Sequence, residues 1–209
     1  MTTRKLAVVS SGLSTPSSTR MLADKLAQST EERLVEAGHD VDIATFELRD
    51  LAQSITNNLL TGFADEPLQN AIDQVTGADG LIAVSPIFKT SYAGLFKSFV
   101  DVIDNTALTD LPVVIGATGG TPRHSLALDY AMRPLFNYMH SVVIPTAVYA
   151  ASDDWGAGED TVKSLPERID RAAGELAALM KDSERSANVV DPFALDENFD
   201  QLLGGFQGN

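Results

Sequence analysis

Cysteine is absent from the 209 residues, so disulfides and thiolate metal sites are excluded and a reducing, cytoplasmic setting is the simplest expectation. Long apolar runs are also missing: none approaches the roughly 20 residues a membrane helix needs. The opening Met1-Thr2-Thr3-Arg4-Lys5 leads into Leu6-Ala7-Val8-Val9, too short and too quickly polar for a secretory signal. Basic residues are few. Fifteen Lys and Arg stand against 29 Asp and Glu, a formal charge of −14, and such a surface repels polyphosphate backbones, which argues against nucleic acid as a partner. Any phosphate ligand would have to be held locally, by backbone N–H groups and hydroxyls, against an unfavourable field. Two nucleotide-binding signatures are missing as well: no Gly-Lys-Ser/Thr follows a glycine-rich loop, and G-x-G-x-x-G does not occur. No internal repeat is visible.

What remains is an ordinary globular composition, 44% hydrophobic and 21% charged, at a length suited to one domain. Apolar runs alternate with helical patterns. Residues 5–10, 40–46, 80–85, 111–117 and 141–149 read as strands, the third closed by Pro86 and the fifth interrupted by Pro145. Residues 17–37 place Leu22, Leu26, Thr30 and Leu34 on one helical stripe that ends at Gly38, a C′ glycine. Further helices are expected over 68–75, 91–103, 124–139 and 162–181, with Pro134 inside the fourth of the five; residues 47–66 read mostly as loop. Five strands separated by helices imply parallel βαβ units in an open, doubly wound sheet. After Lys181 the pattern fails. Residues 182–209 carry six acidic residues and one base, Arg185, while Phe193, Leu195, Phe199 and Leu202 still recur. The expectation is a domain over 1–182 and an acidic C-terminal extension over 183–209 that packs on its own domain or on a partner subunit.

In such a sheet, ligands bind beyond the carboxyl ends of the strands. The loop after strand one, Ser11-Gly12-Leu13-Ser14-Thr15-Pro16-Ser17-Ser18-Thr19, is rich in hydroxyls and opens a helix whose N–H groups suit a monophosphate. The plainer alternative is that Ser17 caps the helix and the rest is exposed turn. The loop after strand three runs Ser85-Pro86-Ile87-Phe88-Lys89-Thr90-Ser91-Tyr92, a rigid turn able to face the edge of a flat ring, or simply a strand-to-helix connection with Phe88 buried. The loop after strand four, Thr118-Gly119-Gly120-Thr121-Pro122-Arg123-His124, lets backbone approach a ligand closely, or makes a tight turn. His124 is a possible proton donor or an ordinary polar residue.

Taken together, Ser-Gly-Leu-Ser-Thr-Pro-Ser-Ser-Thr-Arg, Ser-Pro-Ile-Phe-Lys-Thr-Ser-Tyr-Ala-Gly-Leu-Phe-Lys and Ala-Thr-Gly-Gly-Thr-Pro-Arg-His resemble the NADPH-dependent FMN reductase family. Within it, the likeness is nearest to the reductases of two-component alkanesulfonate and methanesulfonate monooxygenases, and Leu126–Leu135 looks like their fourth helix. The resemblance covers about residues 5–150. It implies a flavodoxin-like α/β fold, a five-stranded parallel sheet with helices on both faces. It also implies FMN as substrate and prosthetic group, NAD(P)H as hydride donor, a homodimer or homotetramer, and delivery of reduced FMN to a flavin-dependent monooxygenase. By position, Ser11, Ser17, Ser18 and Thr19 resemble the phosphate-binding residues, with Leu13 and Ser14 in the same loop. Pro86, Ile87, Phe88 and Lys89, with Thr90 beside them, resemble the loop along the isoalloxazine. Thr118, Gly119 and Gly120 resemble the third flavin loop. Tyr130 matches a residue at a π-type insertion near the flavin and the oligomer interface. The chain departs from the family at Ile87-Phe88-Lys89, where an acidic residue and Tyr-Asn are usual. Since the flavin carries the chemistry, no catalytic side chain is expected. Arg20, Arg123 and Arg133 are candidates for a 2′-phosphate. Two alternatives share the fold: a flavoprotein that retains FMN and reduces a quinone or azo dye, and a flavodoxin-like electron carrier.

Overall fold

The computed structural model describes residues 2–155 and 164–187. The first half contains β1 (Thr3–Ser10), α1 (Ser18–Glu36), β2 (Asp40–Glu47), α2 (Ala52–Thr61), α3 (Glu66–Thr76) and β3 (Gly80–Phe88). Then come β4 (Ser91–Tyr92), α4 (Gly94–Asp101), β5 (Pro112–Gly119), α5 (Arg133–Tyr138), β6 (Val142–Val143), β7 (Val148–Ala151) and α6 (Leu165–Met180). The sheet order is β2-β1-β3-β5-β6, with β7 also on β5 and β4 on β3. Every pairing is parallel except β3 with β4. Because β6 and β7 share one place beside β5, the sheet has five strand positions in the flavodoxin-like order.

The central strands are apolar without alternation because both faces are covered. On one face, Ile55, Leu68, Phe96, Phe99 and Phe136 pack against Ala7, Val9, Leu81 and Val113. On the other, α1 and α6 bring Leu22, Leu26, Leu34 and Leu176 against Leu6, Val8, Ile82 and Val114. The helical stripe expected on α1 is fully buried at Leu22, Leu26, Thr30 and Leu34. Each such leucine contributes roughly 1.5–3 kcal/mol of apolar burial. Thr30 is tolerated in that stripe because its hydroxyl donates to the Leu26 carbonyl at 2.8 Å. Gly38, with φ 88, follows the helix as expected.

Three local expectations are corrected. Residues 47–66 are mostly helical, a 3-10 turn over Leu48–Leu51 running into α2, because Leu48 and Ile55 find full burial and Gly62, at φ 79, ends the helix in the left-handed region. Strand three does not stop at Pro86. It continues to Phe88 and folds back, Ile87 opposite Tyr92 and Phe88 opposite Ser91, so α4 begins at Gly94 rather than at Ser91. Residues 124–139 are not one helix but a 3-10 turn over Pro122–His124, a π-helix over Leu128–Met132, and α5. Pro134 falls in the first turn of α5, where the π-helix passes into the α-helix. Strand five is interrupted around Pro145 as expected, which divides it into β6 and β7.

The split is braced from α6. Glu175 accepts from the Thr146 N–H at 2.8 Å and from its hydroxyl at 2.7 Å, and Arg171 donates to it at 3.0 Å. Past α6 the chain turns under the amino ends of the strands. Buried Asp79 accepts from Lys5 N–H, Ser183 Oγ and Ser186 N–H at 2.9, 2.9 and 3.0 Å, while Arg185 donates to the carbonyls of Thr76 and Ala107. The first residues of the expected extension are thus fastened to the domain; the recurring apolar positions from Phe193 onward lie outside the described residues. No helix among the described residues is long and apolar enough to cross a membrane.

Partial burial opposes ionisation of Glu175, but the bonds from Thr146 and Arg171 outweigh it and hold the carboxyl below its ordinary range. A depressed folded-state pKa stabilises above the unfolded value and loses that contribution as pH falls through the folded one. Glu175→Gln keeps the shape and removes the titration. Its thermal midpoint should therefore fall less than that of the wild type between about pH 5 and about pH 3, read by circular dichroism melts. Equal slopes would show that Glu175 does not govern the acid limb.

Candidate functional site

The carboxyl ends of β1, β3, β5 and β7 surround a cleft of about 420 Å³. Its first wall is the β1–α1 loop. Leu13, Ser14, Ser18 and Thr19 line it. Gly12 lines it too, and its lack of a side chain is a steric requirement: a Cβ there would lie 2.0 Å from Ser17 Oγ. Ser17 is the N-cap of α1, its hydroxyl accepting from the Arg20 N–H at 3.2 Å. Capping therefore describes Ser17 itself, while Ser14 and Ser18 stay exposed. The Ser18 and Thr19 N–H groups of the first turn have no acceptor among the described residues, and the positive end of the helix dipole adds to them. Ser11 is buried, its N–H and hydroxyl both directed at the Val84 carbonyl, 3.1 and 3.4 Å away. It anchors the loop to β3 and does not line the cleft.

Among the described residues, no free cation serves this wall. Arg20 is bonded to Asp24 at 2.7 Å and Glu47 at 3.1 Å, and these partners, Asp24 foremost, hold it more firmly protonated than an ordinary guanidinium. Arg49 also pairs with Glu47, at 3.2 Å, and ties down the loop by donating to the Ser14 carbonyl at 3.2 Å and to Thr15 Oγ1. The local charge is balanced by neighbours, so the open backbone N–H groups and the hydroxyls are what the wall offers.

The second wall is the β3–β4 hairpin. Pro86, Ile87 and half-exposed Phe88 line the cleft. Ser85 fixes the hairpin from below, accepting from the Ala93 N–H at 2.9 Å and donating to the Pro86 carbonyl at 3.0 Å. Lys89 and Thr90 occupy the two turn positions at φ 50 and 72, as the type I′ geometry demands, and do not line the cleft. A β-branched residue at positive φ is strained, and the pairing on both sides imposes it.

Thr118, Gly119 and Gly120 make the third wall. Thr118 Oγ1 meets Thr19 Oγ1 at 2.8 Å in a buried hydrogen bond, which joins the first and third loops beneath the cleft. A Cβ on Gly119 would lie 2.2 Å from the Tyr149 hydroxyl, which itself donates to the Thr121 carbonyl at 2.9 Å. Arg123 and His124 do not line the cleft. Tyr130 sits on the π-helix, 79% exposed, and does not line it either. Arg133 is occupied by Asp129 and by the carbonyls of Ile144 and Pro145.

A fourth wall was missed: Ser152 and Trp155, on the 3-10 turn that follows β7. The signal was present, since the chain's single tryptophan comes directly after the last strand and at its carboxyl end. Breaking that strand at Pro145 drew attention away from where it ends. Among the described residues, none of the side chains lining the cleft is ionisable. Its described lining of hydroxyls, open backbone N–H groups and apolar side chains can bind and orient a flat, phosphate-bearing ligand.

Residues 4–156 match the NADPH-dependent FMN reductase family. An FMN reductase (NADPH) of Pseudomonas aeruginosa is 37% identical over 174 residues, covering 83% of this chain and 90% of that protein. The NADH-dependent FMN reductase SfnF of Pseudomonas fluorescens is 37% identical over the same shares. An oxidoreductase from Corynebacterium diphtheriae superposes with a TM-score of 0.82 at 44% identity, over 88% of this chain and 98% of that one. The chain belongs to the NADPH-dependent FMN reductase family and is an NAD(P)H:FMN oxidoreductase.

The contact between Gly12 and the N-cap gives a test. Gly12→Ala should push Ser17 off the helix, costing about 1 kcal/mol of stability and raising the FMN dissociation constant at least about tenfold. Ser17→Ala loses the cap without the clash and should keep most of the affinity. If thermal melts and calorimetric titration found both variants alike in FMN affinity, Gly12 would not be shaping the loop.

Proposed function

We propose that this enzyme binds FMN in the four-walled cleft as a diffusible substrate and supplies reduced FMN to a separate flavin-dependent monooxygenase. The observation that carries the binding reading is the neutral cradle at the start of α1, with Gly12 excluded from bearing a Cβ and two backbone N–H groups open. A phosphate fits that donor set in a chain of charge −14 because its charge is met by the helix terminus rather than by side-chain cations.

The residues divide the work. Ser14, Ser18 and Thr19 hold the phosphate. Pro86, Ile87 and Phe88 present a rigid edge to the ring, on the side where Ile87 and Tyr92 pack into the α2–α5 core. Gly119 and Gly120 let backbone come close to the ligand. FMN supplies the hydride-accepting ring when bound, which is why the cleft needs no ionisable group. Diffusible use is supported by the open rim, where Leu13 is 55% and Phe88 47% exposed, and by the likeness of the loops to two-component reductases. The two Pseudomonas relatives differ in their named nicotinamide, so both donors belong in the test.

Purified protein stripped of flavin should oxidise NADH or NADPH only when free FMN is added, at a rate that saturates with FMN. Turnover with a quinone on retained FMN, and no response to free FMN, would replace this reading with a self-contained flavoprotein reductase. Ser18→Ala should raise KM for FMN about three- to tenfold with kcat unchanged, as expected for a hydrogen bond made equally before and during the reaction. Lys89→Ala and His124→Ala should leave kcat within about twofold. A collapse of kcat with intact FMN affinity in either would reveal a catalytic side chain.

A further inference from the structure

Trp155 is the largest side chain among the described residues of the cleft wall. Its turn is built rather than incidental. Asp154 accepts from the Ala151 N–H at 2.7 Å, and Arg168 reaches from α6 to bond both Asp154 and the Tyr149 carbonyl. Trp155 packs against the core formed by α1 and α6, the face from which the phosphate cradle opens. Ile87 and Tyr92 of the hairpin pack into the opposite core. The tryptophan therefore stands on the α1 side of the cleft, the side of the proposed phosphate cradle, with the hairpin on the other side. Neither its indole N–H nor the Ser152 hydroxyl has a partner among the described residues, so both remain available as donors.

We propose that Trp155, held by Asp154 and Arg168, is a selectivity wall that lets the flavin end at its first phosphate and excludes the adenylate extension of FAD. This rests on the cleft being the flavin site. FMN and FAD share the ring and the ribityl chain and part only at that phosphate. A bulky group fixed on the phosphate side therefore acts on one and spares the other. A steric obstacle to a competitor separates two ligands more strongly than one more favourable contact with both.

The test is the ratio of dissociation constants for FMN and FAD, read by flavin fluorescence titration of the apoprotein, for wild type, Trp155→Ala and Trp155→Leu. Leucine keeps an apolar group against the α1–α6 core, so one variant retains its fold if alanine does not. Wild type should favour FMN by at least about tenfold. The smaller side chains should cut that preference by about tenfold, mostly through tighter FAD binding. A wild type that binds FAD as well as FMN overturns the wall. So does a ratio unchanged within about twofold in a variant with native far-ultraviolet circular dichroism. A wild type that binds FMN but fails these tests leaves the flavin site standing, whereas one that binds no flavin removes both readings.

Discussion

The contact between Gly12 and the Ser17 hydroxyl sets the rest of the site. It lets the chain leave β1, turn within a few residues and enter α1 with its cap made. Only then do the first-turn N–H groups face the cleft instead of solvent. A protein with almost twice as many acidic as basic residues cannot draw a phosphate in by its overall field, and its two nearest arginines are already shared with Glu47. Binding falls to dipoles fixed by the backbone. Such dipoles hold their strength only if the loop keeps its shape, which accounts for the number of groups holding it. Ser11 fixes one end to β3, Arg49 ties the middle, and the Thr19–Thr118 bond locks the helix start to the third loop.

The same economy shows in the lining. Among the described residues, no side chain lining the cleft is ionisable. That is a poor arrangement for a hydrolase and a suitable one for an enzyme whose ligand carries the electrons. In the proposed function, the protein's part is to fix a plane and a phosphate relative to each other. The buried central strands are suited to that, because a close-packed interior has low compressibility and holds the loops at its end in fixed relation.

The elements were legible where period and length agreed. The α1 stripe at Leu22, Leu26, Thr30 and Leu34 and the continuous apolar strands could be read from residues alone, and ten of the expected binding positions do line the cleft. The rest was hidden for physical reasons. Lys89-Thr90 carries none of the Asn or Gly that marks a type I′ turn; the cross-strand pairs and Ser85 force it, and tertiary context of that kind leaves no local trace. Residues 47–66 looked irregular because α2 lacks a side-chain N-cap and has only Ile55 fully buried. The π-helix over Leu128–Met132 has no compositional signature, and resemblance alone pointed to Tyr130. Pro145 marks the interruption of the fifth strand in the residues, but nothing local shows that the segment after it ends in a loop of its own at the cleft.

The loop after β7 bears on how function is distributed over the fold. In the proposed site, three loops hold the ring and the phosphate, and they are the ones whose residues look unusual. The fourth looks ordinary, yet its placement beside β5 is fixed by a broken strand, a carboxylate from α6 on Thr146 and a guanidinium from α6 on Asp154. Two ties from one helix to either end of β7 are more than a four-residue strand needs for its own stability, since Val148 and Ala150 are already fully buried. They do bear on the direction in which the chain leaves the sheet. A residue that defines where a ligand must end needs a fixed position more than it needs a reactive group, and the bracing from α6 gives the Ser152–Trp155 turn that position.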